Sequence, residues 1–173
     1  VADTQYLITF AAFLLVALII SNSALLLRGQ VQALQDKEKD TRLINHFSQE
    51  LTGAATLDQV MTITLDNLAG LFKGESAIFL VEDNHLKMKK STQKFQLNPE
   101  ETAAAEWALK NIKPAGRGTE THSALQSHFI PLRTSRGVTG ILAIQSREFL
   151  SPLPQDKHTL LAGLSSLAAL AIE

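Results

Sequence analysis

The residues best suited by type and spacing to do chemistry lie in Pro114-Ala115-Gly116-Arg117-Gly118-Thr119-Glu120-Thr121. Two glycines around an arginine can bring backbone N–H groups close to an anion. The stretch follows a helical pattern, however, lacks GxGxxG, and has no Lys-Ser or Lys-Thr after it as in a P-loop. A structural loop leading into a strand is the favoured reading, with a phosphate cradle as the other. Glu82 and Asp83 are adjacent rather than convergent, and no Ser/His/Asp or metal-spaced set is visible along the chain. The absence of cysteine excludes a thiolate nucleophile, a thiolate metal site and a disulfide framework, and fits a reducing compartment. A formal charge of -1 gives no electrostatic case for nucleic acid, which calls for a basic face.

The elements that must position this loop can be read on either side of it. Phe129, Ile130 and Leu132, then Thr134-Ser135-Arg136-Gly137, then Val138, Ile141, Leu142, Ala143 and Ile144 read as a β-hairpin apolar enough to be central in a sheet. Gly140 within the second run suggests a bulge or a close backbone approach. Upstream, Thr56 and Gln59 form a capping-box pattern. Leu57, Val60, Ile63, Thr64, Leu68, Leu71 and Phe72 follow at helical spacing, with Gly74 as the stop. Residues 76–82 (SAIFLVE), a turn at Asp83-Asn84 and residues 85–90 read as a second hairpin. Lys87, Lys89 and Lys90 place its later strand near an edge. Asn98-Pro99-Glu100-Glu101 opens another helix whose apolar stripe is Ala104, Trp107, Ala108 and Ile112, ended by Lys113-Pro114. Trp107 on that stripe reads first as core and second as the wall of a ligand pocket. After Ser151-Pro152-Leu153-Pro154, a strongly apolar helix from Gln155 carries Leu160, Leu161, Leu164, Leu167, Ala168 and Ala171, able to pack on the first helix and the sheet and then on a second copy.

The N-terminal part has a different character. Tyr6 to Leu27 carries no charge over about 22 residues, or roughly 33 Å of helix, enough for the hydrocarbon core of a bilayer. It is apolar all round, unlike a striped soluble helix, and no positive charge precedes it as in a signal peptide. Arg28, Lys37, Lys39 and Arg42 follow it, so the segment is expected to run from outside to inside and leave residues 28–173 in the cytoplasm. The expected organisation is an extracytoplasmic flank at 1–5, a transmembrane helix at 6–27, a helical linker at 28–42 and one domain at 43–173. Lys37, Glu38 and Thr41 break any heptad seam begun by Val31 and Leu34, so the linker is not read as a coiled coil. A chain that starts with Val and stops inside an apolar helical pattern reads as a fragment of a longer protein.

The order helix, hairpin, Trp helix, loop, hairpin, helix resembles that of a GAF-type domain. The expected fold class is therefore α+β: an antiparallel sheet of about five to six strands with helices on its faces, preceded by one transmembrane helix. The resemblance narrows at Trp107-Ala108, at Lys113 to Thr121, at Ile130-Pro131-Leu132-Arg133 and at Arg136-Gly137-Val138-Thr139-Gly140-Ile141-Leu142. Together these are similar to the cytoplasmic GAF-like domain of KdpD-type potassium-responsive sensor histidine kinases, in which the domain follows the last of four membrane helices. That resemblance implies a regulatory segment of a bacterial inner-membrane two-component sensor controlling potassium uptake. It also implies a homodimer and a response regulator as partner of the parent kinase. ATP would be the cofactor of the parent and no cofactor is expected in this segment, which is itself not an enzyme. None of His46, His85, His122, His128 and His158 stands in the His-Glu-x-x-x-Pro setting of a phosphoacceptor, and no Asn- and Gly-rich ATP-binding box is present. Each reads as a surface or packing residue. The competing reading is a small-ligand module for a nucleotide or ion attached to another output, with Trp107, Thr119, Thr121 and Arg133 lining a pocket beside the sheet.

Overall fold

The computed structural model describes residues 38–83, 85–147, 149 and 154–173. The expected membrane span at 6–27 and most of the linker lie outside these residues. Among the described residues no helix is long and apolar enough to cross a membrane. Residues 38–52 are helical (α1), and Arg42 Nη2 meets Glu38 Oε1 at 2.6 Å one turn back. Residues from Ile44 to Glu173 form a compact unit.

In that unit the chain runs α1, α2 (Leu57–Phe72), β1 (Glu75–Glu82), β2 (His85–Ser91), α3 (Pro99–Asn111), β3 (Ala115–Gly116), β4 (Ser127–Thr134), β5 (Gly137–Gln145) and α4 (Gln155–Ile172). The strands form one sheet in the order β2-β1-β5-β4-β3, with every pairing antiparallel. The hairpin expected at 129–144 is β4 and β5, of which β5 is the central strand while β4 has only the two-residue β3 on its outer side, and the lysine-bearing β2 is an edge, as its charges require. Among the described residues the sheet has five strands, and β3 contributes only two residues.

Alternation along the strands divides the interior in two. Ile78, Leu80, Ile130, Leu132, Leu142 and Ile144 meet Phe47 and Leu51 of α1, Leu65, Leu68 and Phe72 of α2, and Leu161 and Leu164 of α4. On the opposite face, Ala77, Phe79, Phe129, Ile141 and Ala143 meet Phe95 and the alanines of α3. The registers explain why the layers are continuous: Ile78 pairs with Leu142, which pairs with Ile130, while Ala77 pairs with Ala143, which pairs with Phe129.

The caps are those the sequence specifies. Gln59 N donates to Thr56 Oγ1 at 3.3 Å and Thr56 N donates to Gln59 Oε1 at 3.3 Å. Asn98 and Glu101 make the same reciprocal pair at α3. Two expected details differ. Helix α2 turns off at Lys73, which itself adopts the left-handed conformation (φ 46°). Gly74 is needed for space instead, since a Cβ there would overlap Gln145 O. Leu57 is exposed, and Met61 and Leu65 take the buried positions of α2. At Gly140 both sequence expectations hold: a Cβ would overlap Phe79 O, and the pairing shifts beside it, leaving Thr139 between the Leu132–Gly140 and Arg133–Val138 pairs.

Candidate functional site

Because β3 pairs only with His128 and Phe129, no strand among the described residues covers the outer edge of β4 from Ile130 to Thr134. A groove of about 410 Å³ lies along that edge, walled by Ile112 and Pro114 after α3, by β4, and by His158, Leu161, Ala162, Ser165 and Ser166 of α4. Its volume is within the usual range for a small-molecule site.

His128 is the most informative of these walls. It is 2% exposed, and its ring stacks on Phe149 with centroids 4.9 Å apart, Phe149 in turn stacking on Phe72 at 5.2 Å. Its Nδ1 lies 2.6 Å from Arg117 O. A carbonyl oxygen only accepts, so Nδ1 carries the proton and Nε2 is left as a lone-pair acceptor. Burial holds the imidazole neutral and lowers its pKa to about 4; the bond to Arg117 O opposes that shift, and His158 adds to it. Arg117 is fixed from the other side, its Nε donating to Phe149 O at 2.9 Å. The arginine of the glycine loop therefore braces the His128–Phe149 stack.

The loop itself leaves little for an anion. Gly116 N donates to Thr121 O at 2.7 Å, Arg117 N to Ser127 O at 2.8 Å and Thr119 N to Gly116 O at 3.1 Å. Thr119 Oγ1 lies 2.8 Å from Gly116 O and 2.7 Å from Thr121 O, and it accepts from Thr121 N at 3.2 Å. The structural reading of this segment thus accounts for four of its backbone N–H groups, and for Thr119 and Thr121. Trp107 is half-buried at the margin of the α3 face, 6.2 Å from the His122 ring, while Ala104, Ala105 and Ala108 hold the close contacts. Arg133, exposed on β4, is the one of the four expected lining residues that stands in the groove wall.

Sequence patterning did not single out the remaining walls. Ile112, read as part of the α3 stripe, is instead its left-handed cap (φ 54°), 44% exposed and facing the groove. Glu101, read as a first-turn acid, is buried and does more. Its Oε2 accepts from Asn98 N, and its Oε1 accepts from Ser127 Oγ at 2.6 Å and Ser127 N at 3.2 Å, which pins α3 to the start of β4. Among the described residues no group of His, Asp and Glu is placed to hold a metal.

This sheet order with helices on both faces is the arrangement expected of a GAF-type domain, and comparison with known proteins agrees. A family profile for the GAF domain matches residues 56–173, and the chain belongs to that family. More narrowly, the whole chain is similar to sensor protein KdpD of Escherichia coli (27% identity, 19% of the relative's length). It is also similar over its full length to sensor protein KdpD of Clostridium acetobutylicum (24% identity, 20% of that protein). Among solved structures, the native GAF domain of the potassium sensor histidine kinase KdpD from E. coli superposes with a TM-score of 0.64 at 21% identity, covering 76% of this chain and 92% of that one. The chain therefore spans about a fifth of the curated relatives it matches.

Proposed function

We propose that this chain is the regulatory segment of a membrane-bound two-component sensor histidine kinase that controls potassium uptake. The observation that carries the proposal is the similarity to sensor protein KdpD over all 173 residues, including the part before the GAF match at residue 56. In this reading residues 6–27 cross the bacterial inner membrane and residues 28–173 lie in the cytoplasm. The linker and α1 couple the membrane helices to the domain. Two copies pair through helices, and the domain biases a downstream kinase core. That core, rather than this segment, would bind ATP, phosphorylate its own histidine and pass the phosphoryl group to a response regulator. Supporting this division of labour, the five histidines lie outside any phosphoacceptor motif.

The test is to express the gene to its natural stop codon, isolate membranes and incubate them with labelled ATP. Acid-labile phosphate on a histidine of the same polypeptide is the expected result. A different output domain, or no phosphorylation by a folded full-length protein, would overturn the kinase reading.

A further inference from the structure

We propose that the groove between the open edge of β4 and α4 binds a small organic anion, with an apolar body, a carboxylate at one end and an O–H or N–H donor at the other. The inference does not rest on the kinase reading, and its failure would leave that reading standing.

Four observations carry it. His128 is buried in the groove wall with Nδ1 committed to Arg117 O, and no partner for Nε2 occurs among the described residues. With no partner among those residues, an acceptor on this nearly buried ring favours a ligand that donates to it. Arg133 also lines the groove, and among the described residues it makes no ion pair and no Asp or Glu stands beside it in the lining. The charge preference is therefore for an anion, and a guanidinium suits a carboxylate by its fork geometry. Ile112, Ile130, Pro131 and Leu161 supply apolar surface between these ends. Finally, Pro131 has no N–H to offer along the uncovered edge, which disfavours an added β-strand and so a peptide partner. His128 and Arg133 are separated by about 16 Å of strand, and alternation puts them on opposite faces of β4, so the ligand must pass round its uncovered edge. Allowing for the reach of the arginine side chain, the ligand should be elongated, on the order of 10 Å.

A suitable probe is 4′-hydroxybiphenyl-4-carboxylate, titrated into the full chain in lipid nanodiscs with histidine ring nitrogens labelled for NMR. The expected result is saturable binding that moves His128 Nε2. Affinity should fall about tenfold for biphenyl-4-carboxylate, which lacks the donor, and about tenfold for the 4′-hydroxy-4-carboxamide, which lacks the charge. Ala162→Trp fills the groove from the exposed face of α4 and should abolish the shift. Arg133→Gln, on an exposed side chain, should erase the preference for the carboxylate while His128 still responds. Absence of saturation, equal affinity for all three compounds, or wild-type binding by either variant overturns the proposal.

Discussion

Acid should destabilise the folded domain through His128. The ring titrates near 6.5 when solvated and near 4 in the fold, because burial disfavours its charged form. Between those values the unfolded chain binds a proton that the folded one refuses, so stability is lost as pH falls below about 7 and the loss levels off below about 4. The full separation corresponds to about 3 kcal/mol, and roughly 2 kcal/mol is already lost at pH 5. His158 on α4 and Arg133 on β4 share the groove with His128, and His158 acts in the same direction. Urea unfolding followed by the fluorescence of Trp107, the sole tryptophan, would measure the effect in wild type and His128→Gln at pH 7.5 and pH 5. The variant lacks this titration, so the stability difference between the two proteins should change by about 2 kcal/mol between the two pH values. Identical pH dependence in both refutes the reasoning. If the variant does not fold, the wild-type Cε1 proton still decides: its shift should titrate below pH 5, and a midpoint near 6.5 is incompatible with a buried neutral ring.

Three further outcomes follow from packing and capping. Gly140→Ala places a Cβ on Phe79 O and should lower stability by about 1–3 kcal/mol, whereas Gly70→Ala, with open space around an exposed helical position, should raise it by about 0.5–1 kcal/mol; thermal melts of the pair give opposite signs. Leu164→Ala removes a buried side chain between α4 and the sheet and should cost about 2–5 kcal/mol, read from the urea midpoint. Thr56→Ala breaks the capping box of α2 and should cost about 1 kcal/mol, with Thr56→Ser restoring most of it.

Much of the fold was legible because local chemistry specifies it. Thr56 with Gln59, Asn98 with Pro99, the Ser135-Arg136 turn and the lysines of β2 each act within a few residues of themselves, and each is found where its type predicts. Tertiary packing overrode periodicity on α3. There the small side chains of Ala104, Ala105 and Ala108 approach the sheet and leave Trp107 at the margin. The groove was less legible for a related reason. Its walls come from residues 112–114, 128–134 and 158–166, brought together by the sheet order and by a third strand too short to cover β4. No spacing rule links such segments. Nothing around His128 marks it for burial, since its neighbours Ser127 and Phe129 suggest only a strand. Arg133 was named only as a lining residue of the ligand-module reading, and it borders the groove.

The central claim is that the helix entering the domain relays a signal from the membrane to a kinase. The direct measurement is potassium-dependent autophosphorylation of the full-length protein in membrane vesicles, before and after two glycines are inserted between Lys39 and Asp40. Two added residues rotate one side of the helix by about 200° relative to the other, within a stretch that is helical from residue 38 to residue 52. The account predicts that basal phosphorylation persists while its response to potassium is lost. An unchanged potassium response would contradict it.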